Sequence, residues 1–90
     1  MRITQLLNYK DKAVANHFVI NTKSGEYLQS YTSIVARVVG DEVTLGKDWD
    51  YSPTTLRHLK HFLNISESKQ EIQNKIDLGE YQIDYDLDYK

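Results

Sequence analysis

Ninety residues allow one domain with a small core, and 40% hydrophobic against 27% charged residues is the balance of a folding chain rather than a disordered one. The absence of cysteine excludes a disulfide framework, a Cys-ligated zinc or iron–sulfur centre and a thiol nucleophile. A mean hydropathy of -0.59 leaves no apolar run able to span a bilayer, and Met1-Arg2-Ile3-Thr4-Gln5 has no apolar signal core, which predicts a cytoplasmic protein.

In chain order, residues 13–22 are rich in β-branched and aromatic side chains and predict a strand. Val14, Phe18 and Ile20 share one parity there, with His17 and Val19 on the other. Lys23-Ser24-Gly25 is a turn, with glycine where a positive φ is needed. A second strand over 26–31 completes a hairpin. The apolar run 34–39, interrupted by Arg37, suits a central strand buried on much of both faces. After the turn Gly40-Asp41, residues 42–45 form the next strand, expected to continue through Trp49 and Tyr51 beyond a kink at Gly46.

A helix follows over about 53–63. Ser52 stands at the N-cap and Pro53 at the first helical position, where a missing N–H costs nothing. Leu56, Leu59, Phe62 and Leu63 form one apolar stripe at the helical period, and Asn64 closes the element. A second helix over about 68–78 opens with Ser68 and Glu71 at capping-box spacing, stacks Ile72 and Ile76 on one face, and ends at Gly79. The remainder, about 81–89, alternates Tyr81, Ile83, Tyr85, Leu87 and Tyr89 with Gln82, Asp84, Asp86 and Asp88. That is a strand with an apolar and an acidic face.

These elements predict a single α+β domain over residues 1–90, an antiparallel four- to five-stranded meander with two helices packed on one face. The expected core joins Leu56, Leu59, Phe62, Leu63, Ile72 and Ile76 to Val14, Phe18, Val35 and Val38 or Val39. The C-terminal strand, if it joins the sheet, belongs at an edge.

The formal charge of -2 is unevenly spread: residues 76–90 sum to -4 and residues 1–75 to +2. The acidic end offers Tyr81, Asp84, Tyr85, Asp86, Asp88 and Tyr89 as a strip of carboxylates and tyrosines. Tyrosine brings large contact area at low rotamer cost, and carboxylates complement a basic partner. The same pattern also serves an edge strand that must not pair with other chains. On the first helix, Arg57, His58, Lys60 and His61 face away from the apolar stripe with no acidic residue among them. They form either a phosphate-binding face or a solvated one.

His58 and His61 stand three apart and His17 is a possible third ligand, but no recognisable metal spacing results, and no cofactor is expected. Ser52 is explained as a cap, the C-terminal carboxylates share one strand face, and the four glycines make no phosphate loop. No catalytic arrangement is legible. Tyr9, Tyr27, Tyr31, Tyr51 and Trp49 read as stacking platforms for single strands or as packing for a small sheet.

Two blocks, Ser30-Tyr31-Thr32-Ser33-Ile34-Val35-Ala36 and Trp49-Asp50-Tyr51-Ser52-Pro53-Thr54-Thr55-Leu56-Arg57-His58-Leu59-Lys60-His61-Phe62-Leu63, resemble a family of small phage and prophage proteins of Gram-positive bacteria. The likeness covers roughly residues 27–63. His61 stands where the family pattern has an acidic residue, and the region after residue 78 does not follow it. The resemblance implies a phage protein acting in the bacterial host cytoplasm and supplies no chemistry. Together with the acidic end, it predicts a non-enzymatic phage accessory protein that binds and inhibits a host protein. The expected target is a nucleic-acid-handling defence complex such as a CRISPR effector, met on its basic surface. The alternative is a small nucleic-acid-binding regulator using the face of Arg57, His58, Lys60 and His61.

Overall fold

A computed structural model describes residues 2–7, 10 and 12–88. The chain forms one six-stranded sheet with two helices: β1 Arg2–Leu7, β2 Ala13–Thr22, β3 Gly25–Ser30, β4 Ser33–Val39, β5 Glu42–Gly46, α1 Pro53–Leu63, α2 Lys69–Asp77 and β6 Tyr81–Asp84. The strands lie in sequence order, antiparallel from β1 to β5, and β6 pairs parallel to β5 at the edge. A parallel pair needs a long crossover, and α1 with α2 supplies it.

The sequence pattern predicts one strand too few at the start. β1 buries only Leu6 and exposes its other side chains, so its hydrophobic signal is faint; pairing with β2 defines it.

The strand over 42–45 also stops sooner than expected. It ends at Gly46, because residues 47–50 turn, with the N–H of Trp49 on the Gly46 carbonyl at 3.2 Å and that of Tyr51 on Asp48 at 3.1 Å. Gly46 is close-packed: a Cβ there would run into the Ile34 carbonyl. Gly25 is held at φ +138, under the Val38 carbonyl.

Both helices pack on one face. Leu59 and Ile72 are fully buried against Leu28, Val35, Ala36, Leu45, Leu6 and Trp49, with Leu56, Phe62, Leu63 and Ile76 at the margin. Ser52 caps α1 by accepting from the Thr55 N–H at 3.1 Å, and Asn64 closes it at φ 56. Ser68 and Glu71 form the full capping box of α2, and Gly79 follows at φ +80.

Two expected core contributors lie elsewhere. Asn16, at φ 61, sits in a bulge of β2, where the register against β1 shifts between Gln5 and Leu7. The bulge reverses the side-chain parity, so Val14 and Val19 both face the helices while Phe18 turns to the opposite face. A second shift, between Leu28 and Gln29, places Val35 and Ala36 together in the helix-side core. Val38 is half-buried and Val39 exposed, outside the core cluster.

The opposite face carries a smaller cluster of Ile20, Tyr27 and Ile34, against which Leu87 packs. That contact accounts for the largest departure from the sequence pattern. β6 ends at Asp84 rather than near residue 89, because the Asp84 carboxylate accepts the Asp86 N–H at 2.9 Å and its carbonyl accepts that of Leu87 at 3.1 Å. The chain turns and lays Leu87 on the back of the sheet. Tyr89 lies outside the described residues.

Candidate functional site

Trp49 is buried in the helix-side core and anchors the loop that leads from β5 into α1. That loop, the β3–β4 turn and the N-terminal turn of α1 enclose an open cleft of about 620 Å³, within the size range of small-ligand sites. His17, Ser30 and Val35 line it from the sheet, Tyr31 and Ser33 from the turn, Asp48, Tyr51 and Ser52 from the loop, and Thr54 and Thr55 from the helix. A smaller cleft of about 240 Å³ shares Ser33 and Asp48 with it and adds Lys47, Tyr85, Asp86, Leu87 and Asp88.

The shared residues bring three tyrosines to one end of the sheet. Tyr31, Tyr51 and Tyr85 are 64%, 79% and 69% exposed, more than any other aromatic described. Tyr27 and Trp49 are core residues instead, and Tyr9 lies outside the described residues. Asp48 is half-buried in both clefts and forms neither an ion pair nor a side-chain hydrogen bond among the described residues. Asp50, by contrast, lies 3.6 Å from Lys69.

Behind the cleft stands a histidine network. His17 is 2% exposed. Its Nδ1 donates to the Ala15 carbonyl at 2.8 Å, and its Nε2 shares a hydrogen bond of 3.0 Å with the Ser30 hydroxyl. A serine against an imidazole has the form of a nucleophile and its base, but here a backbone carbonyl orients the ring instead of a carboxylate, and both residues are buried. The pair ties the bulge of β2 to the end of β3. Tyr31 meets the His17 ring edge-on at 5.7 Å between centroids, and His58 lies 4.4 Å away on the other element. Burial lowers the His58 pKa from 6.5, and the positive potential of His17, Arg57 and His61 lowers it further.

This network corrects the expected basic face of α1. His58 is turned inward against His17, leaving Arg57 and His61 exposed and Lys60 half-buried. No group of three His, Asp or Glu side chains among the described residues is arranged to hold a metal.

The expected C-terminal strip is divided in the same way. Tyr81 is half-buried on the helix side, its hydroxyl 3.5 Å from Glu67 and its ring 5.1 Å from the Lys75 ammonium. Glu67 and Lys75 form an ion pair that lowers the Glu67 pKa and raises that of Lys75. Asp84 ends β6, whereas Tyr85, Asp86 and Asp88 line the smaller cleft. The carboxylates therefore gather around a turn instead of along a straight strand.

A family profile matches residues 1–80, most of the chain. The protein belongs to DUF8033, a family of unknown function. No curated protein and no solved structure matches it. The match includes Tyr31, Asp48, Tyr51 and the histidine network of this DUF8033 chain, and stops short of Tyr85 and its neighbours. No described helix is long and apolar enough to cross a membrane.

Sequence reasoning missed the cleft because its walls come from three separate stretches of chain, around residues 17, 30–35 and 48–55. The signal available was local: a polar turn at Ser30-Tyr31-Thr32-Ser33, and Trp49 set between two aspartates.

Proposed function

We propose that this protein is a non-enzymatic binder that attaches to a basic protein surface through the tyrosine-bearing end of its sheet. The observation that carries this reading is the gathering of Tyr31, Tyr51 and Tyr85 around clefts lined by Asp48, Asp86 and Asp88. Exposed tyrosines are effective as interface anchors, and the carboxylates steer association with a cationic patch. The resemblance to small phage proteins suggests the context, namely inhibition of a host factor whose basic surface handles nucleic acid. A defence complex of the CRISPR-effector kind is the expected target, in the bacterial cytoplasm.

Direct nucleic-acid binding is the weaker reading. The sequence pI is about 5.8, and burial of His58 reduces the cationic face of α1 to Arg57, Lys60 and His61.

A photo-cross-linking residue placed at Tyr51 or Tyr85, and in parallel at Arg57, tests the assignment in lysate of a bacterial host. Capture through the tyrosine positions of a nucleic-acid-binding protein, whose nucleic-acid binding then falls when the purified chain is added, is the expected result. Capture through Arg57 alone overturns it. So does tight binding of DNA or RNA by the isolated protein that weakens steeply with salt, the signature of phosphate neutralisation.

A further inference from the structure

We infer that the larger cleft is a socket for an arginine side chain of the partner, with Asp48 as its counter-charge. This rests on the reading of that end of the sheet as a protein-binding surface, and it names the group that the surface recognises.

The charge balance of the cleft decides the sign of the occupant. No lysine or arginine lines it, and Asp48 is its one carboxylate. Asp48 is half-buried and has neither an ion pair nor a side-chain hydrogen bond among the described residues, so a partner cation is the complementary occupant. The His17 ring does not pair with Asp48: its Nδ1 and Nε2 are hydrogen-bonded to the Ala15 carbonyl and the Ser30 hydroxyl. A phosphate or carboxylate would meet the like charge of Asp48 here, with the N-terminal turn of α1 and the hydrogen-bonded His17 ring to set against it.

The rest of the lining selects guanidinium over ammonium. Arginine presents five N–H donors in a plane and stacks on aromatic faces, whereas lysine is a compact, strongly hydrated point charge. Tyr31 and Tyr51 offer exposed rings at the mouth. Ser33 and Thr54 carry hydroxyls with no side-chain hydrogen bond among the described residues, and they are free to accept. The buried Val35 backs the cleft with an apolar wall.

The test uses the isotope-labelled full chain and arginine blocked at both ends, with blocked lysine and blocked citrulline as comparisons. Citrulline keeps the shape and loses the charge. Blocked arginine is expected to shift the amide signals of Ser33, Asp48 and Thr54 saturably, more strongly than lysine, with citrulline inert. Asp48→Asn is expected to weaken the arginine response at least about tenfold, the loss of one charge-assisted pair. Equal responses to arginine and citrulline, no saturable shift, or shifts confined to residues outside the cleft each overturn the inference. The citrulline comparison needs no variant, so it stands whether or not Asp48→Asn folds. The two readings fail separately. Cross-linking through Tyr85 without arginine binding removes the socket and keeps the surface, and arginine binding without such cross-linking does the reverse.

Discussion

His17 on β2 and His58 on α1 set their rings 4.4 Å apart, tilted by 57°, at the junction of sheet and helix, and among the described residues neither has a carboxylate partner there. His17 is hydrogen-bonded to the Ser30 hydroxyl, and burial, followed by coulombic repulsion from His17, Arg57 and His61, disfavours the charged form of His58.

Stability is therefore expected to fall in mild acid. The unfolded chain binds a proton at His58 near the ordinary value of 6.5, whereas the folded chain resists it until a lower pH. The contribution is complete above 6.5 and is lost as pH falls from there through the lowered folded pKa. Urea denaturation across that interval should show the decline, and His58→Gln should flatten it. An unchanged slope in the variant would place the acid sensitivity elsewhere.

The ion pair of Glu67 and Lys75 makes a second titration testable. Its hydrogen bond holds the Glu67 carboxyl below the ordinary 4.5, so Lys75→Met should return it toward that value. Carboxyl-carbon NMR through an acid titration reads this directly. The pair's share of stability is present above 4.5 and disappears as pH drops through the lowered folded value. Because both side chains retain solvent contact, the thermodynamic effect should be small.

Gly25→Ala should destabilise the protein by at least about 2 kcal/mol. The position combines φ +138 with a Cβ direction that meets the Val38 carbonyl and the Val39 side chain. Gly40→Ala, at φ +59 with open space around it, should cost only about 1 kcal/mol. Comparing the two denaturation midpoints separates backbone strain from steric collision.

Leu87→Ala should cost about 1–2 kcal/mol, the value of a partly buried leucine side chain. Leu87→Asp should cost more and increase binding of a hydrophobic dye, since Ile20, Tyr27 and Ile34 lose their cover. If residues 85–88 were instead a free acidic strip, both variants would unfold like the parent.

The elements that were legible in the sequence are those whose determinants lie within one or two turns of chain. Ser52 before Pro53, Ser68 with Glu71, and Gly79 satisfy or terminate helix ends through neighbouring backbone groups, so their spacing alone specifies α1 and α2. The hairpin turns at Lys23-Ser24 and Gly40-Asp41 are local in the same sense. Position within a helical or strand period, by contrast, states which residues share a face and not what that face meets. His58 therefore reads as part of a cationic face until His17 is brought against it, and Tyr85, Leu87 and Asp88 read as a strand until the apolar back of the sheet draws Leu87 aside. The bulge at Asn16, which reverses the parity of β2, depends on its pairing with β1, and β1 has too little buried surface to announce itself. Asp48 is likewise an ordinary loop aspartate by sequence. Only the closing of the β3–β4 turn, the buried Trp49 and the first turn of α1 around it make it the carboxylate of a cleft, because enclosure is a property of segments distant in the chain and adjacent in space.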